Sequence, residues 1–124
     1  MGLGKYYSIL EEKTDIEQAI YKIQLDANHQ MYKGHFPDFP LLPGVVQMEL
    51  IHELFEKTLG KELLLIASKN IKYLGMINPN EHKELSVKLS WKHTDEIKLK
   101  AEIISLEELP KTMLKYSAQY KFRA

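Results

Sequence analysis

Cysteine is absent from the 124 residues. Its absence excludes disulfides, thiolate zinc sites and cysteine nucleophiles, and fits a reducing compartment. An excess of charge of either sign is missing too: seventeen basic residues balance seventeen acidic ones. That balance removes the electrostatic case for nucleic acid as a partner. No apolar run approaches the roughly 20 residues needed to cross a bilayer. The opening segment, MGLGKYYSILEEK, lacks the apolar core of a secretion signal. Internal repeats, low-complexity stretches and linkers are also missing. What remains is 44% hydrophobic and 27% charged, the composition of an ordinary globular protein. The length suits one domain with a proper core. The expectation is therefore a single domain over residues 1–124, soluble and cytoplasmic, with no membrane span.

Proline is scarce but concentrated. Three of the five prolines lie between Gly34 and Leu50, in Gly34-His35-Phe36-Pro37-Asp38-Phe39-Pro40-Leu41-Leu42-Pro43-Gly44-Val45-Val46-Gln47-Met48-Glu49-Leu50. Each lacks an N–H and pushes its predecessor toward extended geometry, so the first half reads as a stiff loop. Pro43 is well placed to open a helix. The apolar positions Val45, Val46, Met48, Leu50, Ile51, Leu54, Phe55 and Leu59 then cover most of the circumference, the pattern of a buried helix. Glu49, Glu53 and Glu56 share one narrow side, and Gly60 is the expected C-cap.

The remainder reads as strands. Tyr6 to Glu12 and Ile16 to Leu25 form an expected hairpin about a turn at Lys13-Thr14-Asp15. Leu63 to Ala67 is an apolar run and Asn70 to Met76 is mixed. Asn78-Pro79-Asn80 is a turn. Leu85 to Trp91, Ile97 to Leu106 and Met113 to Phe122 alternate with period two, as antiparallel strands with one wet face do. One nearly all-apolar helix needs a wrapping surface, which a curved antiparallel sheet supplies; the fold class is α+β. An uncovered sheet edge or helix end then calls for a second copy.

Two residues of the central run suggest chemistry. Histidine titrates near neutrality, so His35 held on a stiff loop suits a general base. Glu49, on a helix read as buried, suits a carboxylate kept protonated by desolvation. The bland readings are a structural or solvated His35, and a Glu49 that is ion-paired or on a wet stripe with Glu53 and Glu56. His52 lies one turn beyond Glu49 and reads as a surface residue, and His29, His82 and His93 read as solvated. His29 and His35 have no third ligand at metal-site spacing, so no metal is expected. Tyr116, Tyr120 and Phe122 read as core or dimer contacts.

The run resembles the hotdog-fold 3-hydroxyacyl-[acyl-carrier-protein] dehydratases, whose signature is G-H-F-P-x-x-P-x-x-P-G-V with a catalytic carboxylate in the following helix. Gly34-His35-Phe36-Pro37, Pro40 and Pro43-Gly44-Val45 match it, and Glu49 places the chain in the glutamate-containing branch. The resemblance implies a hotdog fold, a curved antiparallel sheet wrapped around one long central helix. It implies dehydration of a 3-hydroxyacyl thioester to the trans-2-enoyl thioester, with His35 and Glu49 catalytic and no cofactor. Gly44 and Val45 would bind the thioester oxygen through helix N–H groups, and Phe36, Phe39 and Met48 would line an acyl tunnel. The site would lie at a homodimer interface. An acidic carrier bearing phosphopantetheine would meet Lys33, Lys69 and Lys72. The chain departs from the family where an arginine-rich strand is usual, reading Lys69 to Pro79 instead, and at Asp38, where glycine is common. Both departures point toward a specialised lipid or polyene pathway. Two alternatives are a hotdog thioesterase and a non-catalytic acyl-carrier-binding subunit.

Overall fold

A computed structural model describes residues 5–33 and 40–123. Chain order is β1 (Tyr7–Thr14), β2 (Gln18–Leu25), a 3-10 turn (Gln30–Tyr32), α1 (Gly44–Leu59), β3 (Leu63–Tyr73), β4 (Glu84–His93), β5 (Ile97–Ser105) and β6 (Lys111–Phe122). The six strands make one antiparallel sheet in the order β1-β2-β4-β5-β6-β3. The α+β reading holds.

Alternation places the core. Ala19, Tyr21, Ile23 and Leu25 of β2 are buried, and so are Leu85, Val87, Leu89 and Trp91 of β4. Ile97, Leu99, Ala101 and Ile103 of β5 and Leu114, Tyr116, Ala118 and Tyr120 of β6 continue the same inner face. The helix lies on it through Leu50, Ile51, Leu54 and Phe55, all essentially inaccessible. The Phe55 ring meets Trp91 and Tyr120 with centroids 5.4 and 5.5 Å away. At roughly 1.5–3 kcal/mol per fully buried large apolar side chain, this stripe supplies most of what holds helix to sheet. A polar pin adds direction. Thr58 Oγ1 donates to the Leu54 carbonyl at 2.7 Å, so the Tyr21 hydroxyl donates to Thr58 at 2.8 Å.

The helix ends at Gly60, whose φ of 68° is left-handed. Its N–H returns to the Glu56 carbonyl at 2.8 Å. Glu56 also ties the next element down: its Oε2 accepts from the Leu63 N–H at 2.7 Å and lies 3.3 Å from His52 Nε2.

Several local expectations change. The hairpin turn falls two residues later, because β1 runs through Thr14 and the Asp15 N–H closes onto the Gln18 carbonyl at 2.8 Å. Leu63 to Tyr73 is one strand rather than two segments; register shifts between Leu65 and Ala67 and between Ser68 and Asn70 break its alternation. The helix is not apolar and buried all round: Val45 is 73% exposed, Met48 and Glu49 are half-buried, and the polar Gln47 is buried. His82 is a structural pin, not a solvated residue. Its Nδ1 accepts from the Asn78 N–H at 2.9 Å and its Nε2 lies 2.8 Å from Glu107. His29 is half-buried, and its Nδ1 accepts from the Met31 N–H at 3.0 Å; His93 is exposed, as expected, with its ring edge against Phe122. Tyr116 and Tyr120 are core residues, as expected. Among the described residues no helix is long and apolar enough to cross a membrane.

Candidate active site

The site is built around the start of α1. Buried Pro40 leads into a short extended segment that is fastened at Leu42, whose N–H donates to the Ile77 carbonyl at 2.8 Å. Pro43 is the N-cap, in extended conformation, and offers no side-chain cap. Its carbonyl accepts from both Val46 and Gln47 N–H at 3.0 Å. The N–H groups of Gly44 and Val45 have no acceptor among the described residues. No acid stands in the first turn either. The positive end of the helix dipole is therefore neither capped nor neutralised, a setting that favours a developing negative charge.

A cavity of about 540 Å³ opens at this helix end, lined by Leu41, Gly44, Gln47, Tyr73, Met76 and Ile77 among others. Tyr73, at the end of β3, comes so close that a Cβ on Gly44 would stand 2.6 Å from its hydroxyl oxygen. Glycine at 44 is thus a matter of room: any side chain would displace Tyr73 or close the cavity. Met76 is 74% exposed at the cavity's edge, leaving an apolar rim.

Gln47 is a residue that sequence reasoning passed over. It is 3% exposed, and its Nε2 donates to the Leu42 carbonyl at 3.1 Å. A carbonyl only accepts, so this contact fixes which end of the amide faces Leu42. Its Oε1 is buried with no partner among the described residues. Nothing marked it beforehand, since a lone glutamine in an apolar helix reads as a neutral helix former. The visible signal was only a polar residue inside a stripe otherwise counted as core.

Glu49 lies elsewhere on the helix, roughly 140° around the axis from Gly44. It is half-buried and does not line the cavity. Its charge is felt at Glu53 on the helix, at Tyr6 and Tyr7 beside β1, and at Tyr120 of β6. Burial first, then the charge of Glu49, pushes the Glu53 carboxyl above its ordinary range. Burial also raises the Tyr7 hydroxyl to about 12, with Glu53 and Glu49 adding to it. Tyr6 is raised beyond that range by burial and then by Glu53, and its buried hydroxyl has no partner among the described residues. His52, one turn on, pairs with Glu56 rather than Glu49.

The other expected site residues separate. His35, Phe36 and Phe39 lie outside the described residues. Met48 is half-buried and packs against the core. Lys33 follows the 3-10 turn and is exposed. Lys69 and Lys72 belong to β3 and line grooves on the outer face of the sheet. No cluster of potential metal ligands occurs among the described residues. One chain thus brings Gly44 and Val45 to a cavity and leaves Glu49 on another side.

Comparisons with known proteins bear on this arrangement. The chain matches the family model of the ApeI-like proteins, described as ApeI dehydratase, over residues 11–109. It is similar to the 3-hydroxyacyl-[acyl-carrier-protein] dehydratase FabZ of Clostridium acetobutylicum, 29% identical over 87 residues, covering 64% of this chain and 62% of that protein. The match to FabZ of Rickettsia massiliae is 28% identical over 106 residues and covers 73% of each. The first of these relatives is thus matched over less than two thirds of its length. Among solved structures, the dehydratase heterocomplex ApeI:P from Xenorhabdus doucetiae superimposes with a TM-score of 0.72 at 18% identity, covering 91% of this chain and 96% of that one. An uncharacterised protein from Erwinia carotovora subsp. atroseptica gives a TM-score of 0.71 at 25% identity, with 93% of each covered. A hypothetical thioesterase from Streptococcus pneumoniae shares the fold at 13% identity, with a TM-score of 0.66, covering 98% of this chain and 93% of that one. With the family model covering most of the chain and the sheet-and-helix arrangement in agreement, the chain belongs to the ApeI-like dehydratase family of the hotdog fold.

Proposed function

We propose that this protein dehydrates a 3-hydroxyacyl thioester, carried on an acyl carrier protein, to the trans-2-enoyl thioester. The observation that carries the reading is the uncapped start of α1 at Gly44, opening on an apolar cavity directly after the Gly34–Pro43 signature. The thioester oxygen accepts from the free N–H groups of Gly44 and Val45, which stabilise the enolate charge as it grows. His35 takes the α-proton. The electron pair of the C–H bond becomes the Cα–Cβ double bond as the Cβ–O bond breaks. Glu49 delivers its proton to the departing oxygen, which leaves as water.

Within one chain Glu49 does not line the cavity at Gly44, so the reading includes a homodimer in which His35 of one copy works with Glu49 of the other. Substitution of the family's arginine-rich strand by Lys69 to Pro79, and Asp38 in the signature loop, support a specialised lipid or polyene pathway. Incubation with a 3-hydroxyacyl-carrier protein, followed by intact mass, tests the reaction. Loss of one water from the acyl group is expected. Release of free acid would instead establish a thioesterase, and no turnover would leave a binding subunit. His35→Ala and Glu49→Gln are each expected to lose about 10²–10⁴-fold in kcat.

A further inference from the structure

The cavity at the start of α1 has a wall that is apolar but for two side chains. Gln47 and Tyr73 are the polar side chains lining it, among Leu41, Leu42, Met76, Ile77 and other apolar residues. Tyr73 is exposed, and its hydroxyl is not among the buried groups left unpaired. Gln47 is different. It is 3% exposed, and its Oε1 has no donor among the described residues.

A buried acceptor without a donor costs stability. The Leu42 carbonyl explains the Nε2 end of the amide, which donates to it at 3.1 Å. Nothing in the local packing explains the Oε1 end. The helix packs here through Val46, Leu50 and Ile51, and a methionine in place of Gln47 would keep the wall apolar and remove the orphaned oxygen. The amide is also held still. Leu42 is fastened by its N–H to the Ile77 carbonyl at 2.8 Å, and Gln47 is fastened to Leu42. Its acceptor is therefore set in place before any ligand arrives.

The donor that fits follows from the chemistry at Gly44, and to that extent rests on the dehydratase reading. Gln47 and Gly44 stand three residues apart in one helix, so they are neighbours on its surface, about 5–6 Å apart. With the thioester oxygen on the Gly44 and Val45 N–H groups, the thiol arm leads out to the carrier and the acyl arm runs along the apolar wall. The first hydrogen-bond donor on the acyl arm is the hydroxyl on C3, two bonds beyond the thioester carbon.

We propose that Gln47 Oε1 accepts the hydrogen bond of the substrate's 3-hydroxyl, which makes Gln47 a residue that orients the leaving group and selects for it. The oxygen is covered in the structure, so the acyl group engages it by displacing a side chain of the wall. Gln47 holds the hydroxyl hydrogen, and the lone pairs are left for the proton that Glu49 delivers. An amide neither gives nor takes a proton here; the hydroxyl keeps its own hydrogen and departs with it as water. The enoyl product has no hydroxyl and loses the contact, as does a saturated acyl group. A ligand that leaves a buried polar group unpaired is rejected.

The test uses two amides of one acyl chain length on pantetheine, with N–H in place of the thioester sulfur, one 3-hydroxylated and one saturated. Both are titrated into the full-length protein by calorimetry. The wild type is expected to bind the 3-hydroxyacyl form about tenfold more tightly or better. In Gln47→Met that preference should shrink to about twofold, through loss of affinity for the 3-hydroxyacyl form alone. On the 3-hydroxyacyl-pantetheine thioester, kcat/KM of the variant should fall by a similar factor. Gln47→Leu takes its place if the methionine variant does not fold. Equal weakening of both amides overturns the proposal, since Gln47 then only supports Leu42 or meets a pantetheine N–H that both forms carry. A wild type that binds both alike overturns it too, as does a preference that survives the substitution. If the preference depends on Gln47 but the wild type does not dehydrate the thioester, the dehydratase reading falls and the contact stands.

Discussion

The two edges of the sheet differ in what they leave uncovered. β1 spans eight residues and is exposed along nearly its whole length, but Glu11, Glu12 and Lys13 occupy its second half. A bulge lies between Ile9 and Glu11, and Lys57 of the helix reaches Glu12 at 3.9 Å. Charge, shortness and a bulge are the usual defences of an edge against pairing. β3 spans eleven residues and exposes Leu65, Ile66, Ile71 and Tyr73, with Leu74 and Met76 just beyond. Its end borders the cavity at Gly44. In the proposed mechanism Glu49 must come from a second copy, and the apolar edge beside the cavity is the one that would receive it.

The sharpest way to break this contrast is to charge each edge in turn. Ile71→Lys on β3 is expected to convert the protein to a monomer by sedimentation and to lower kcat/KM by two orders of magnitude or more. Ile9→Lys on β1 should change neither; equal effects would erase the distinction. Gly44→Ala is next in size. Alanine suits a helix, so Tm should hold, while displacement of Tyr73 across the cavity costs about tenfold in kcat/KM in a steady-state assay. Gly60→Ala acts on the turn that feeds β3. Its left-handed φ makes a side chain cost about 1 kcal/mol by denaturant unfolding, although nothing lies in the way.

The smallest effect concerns Glu53, on the β1 side. Its carboxyl binds a proton more tightly folded than unfolded, so folding stability falls as pH rises from the ordinary value of 4.5 through the raised one. Glu53→Gln removes that penalty. Its Tm should exceed the wild type's slightly at pH 7 and match it at pH 4 in thermal melts.

Much of this was legible in the sequence because burial alternates with period two and the helix begins and ends at strong local signals. Pro43 and Gly60 act within their own turn, and both fell where expected. What stayed hidden depends on distant partners. His82 looked solvated because Glu107 lies far along the chain, while Asn78 looked like no more than a turn. Two register shifts disguised β3 as two segments. Glu49 looked buried because periodicity counts apolar neighbours, not the surface that covers them; one copy covers it only in part. Gln47 was silent because its orphaned oxygen is a property of packing. Of the site, the Gly44 helix start was visible in a single turn of sequence, whereas its relation to Tyr73 needed β3 to return along the helix.

That return path has a mechanical consequence. Glu56 grips the first residue of β3 at the far end of the helix, and Tyr73 rests on Gly44 at the near end. Helix and strand are fastened at two points, so the strand acts as a gauge. Deleting one residue between the two fastenings would pull Tyr73 back by about 3.3 Å and turn it to the other face. The place of Tyr73 over Gly44 is thus set by the residue count of β3, its two register shifts included.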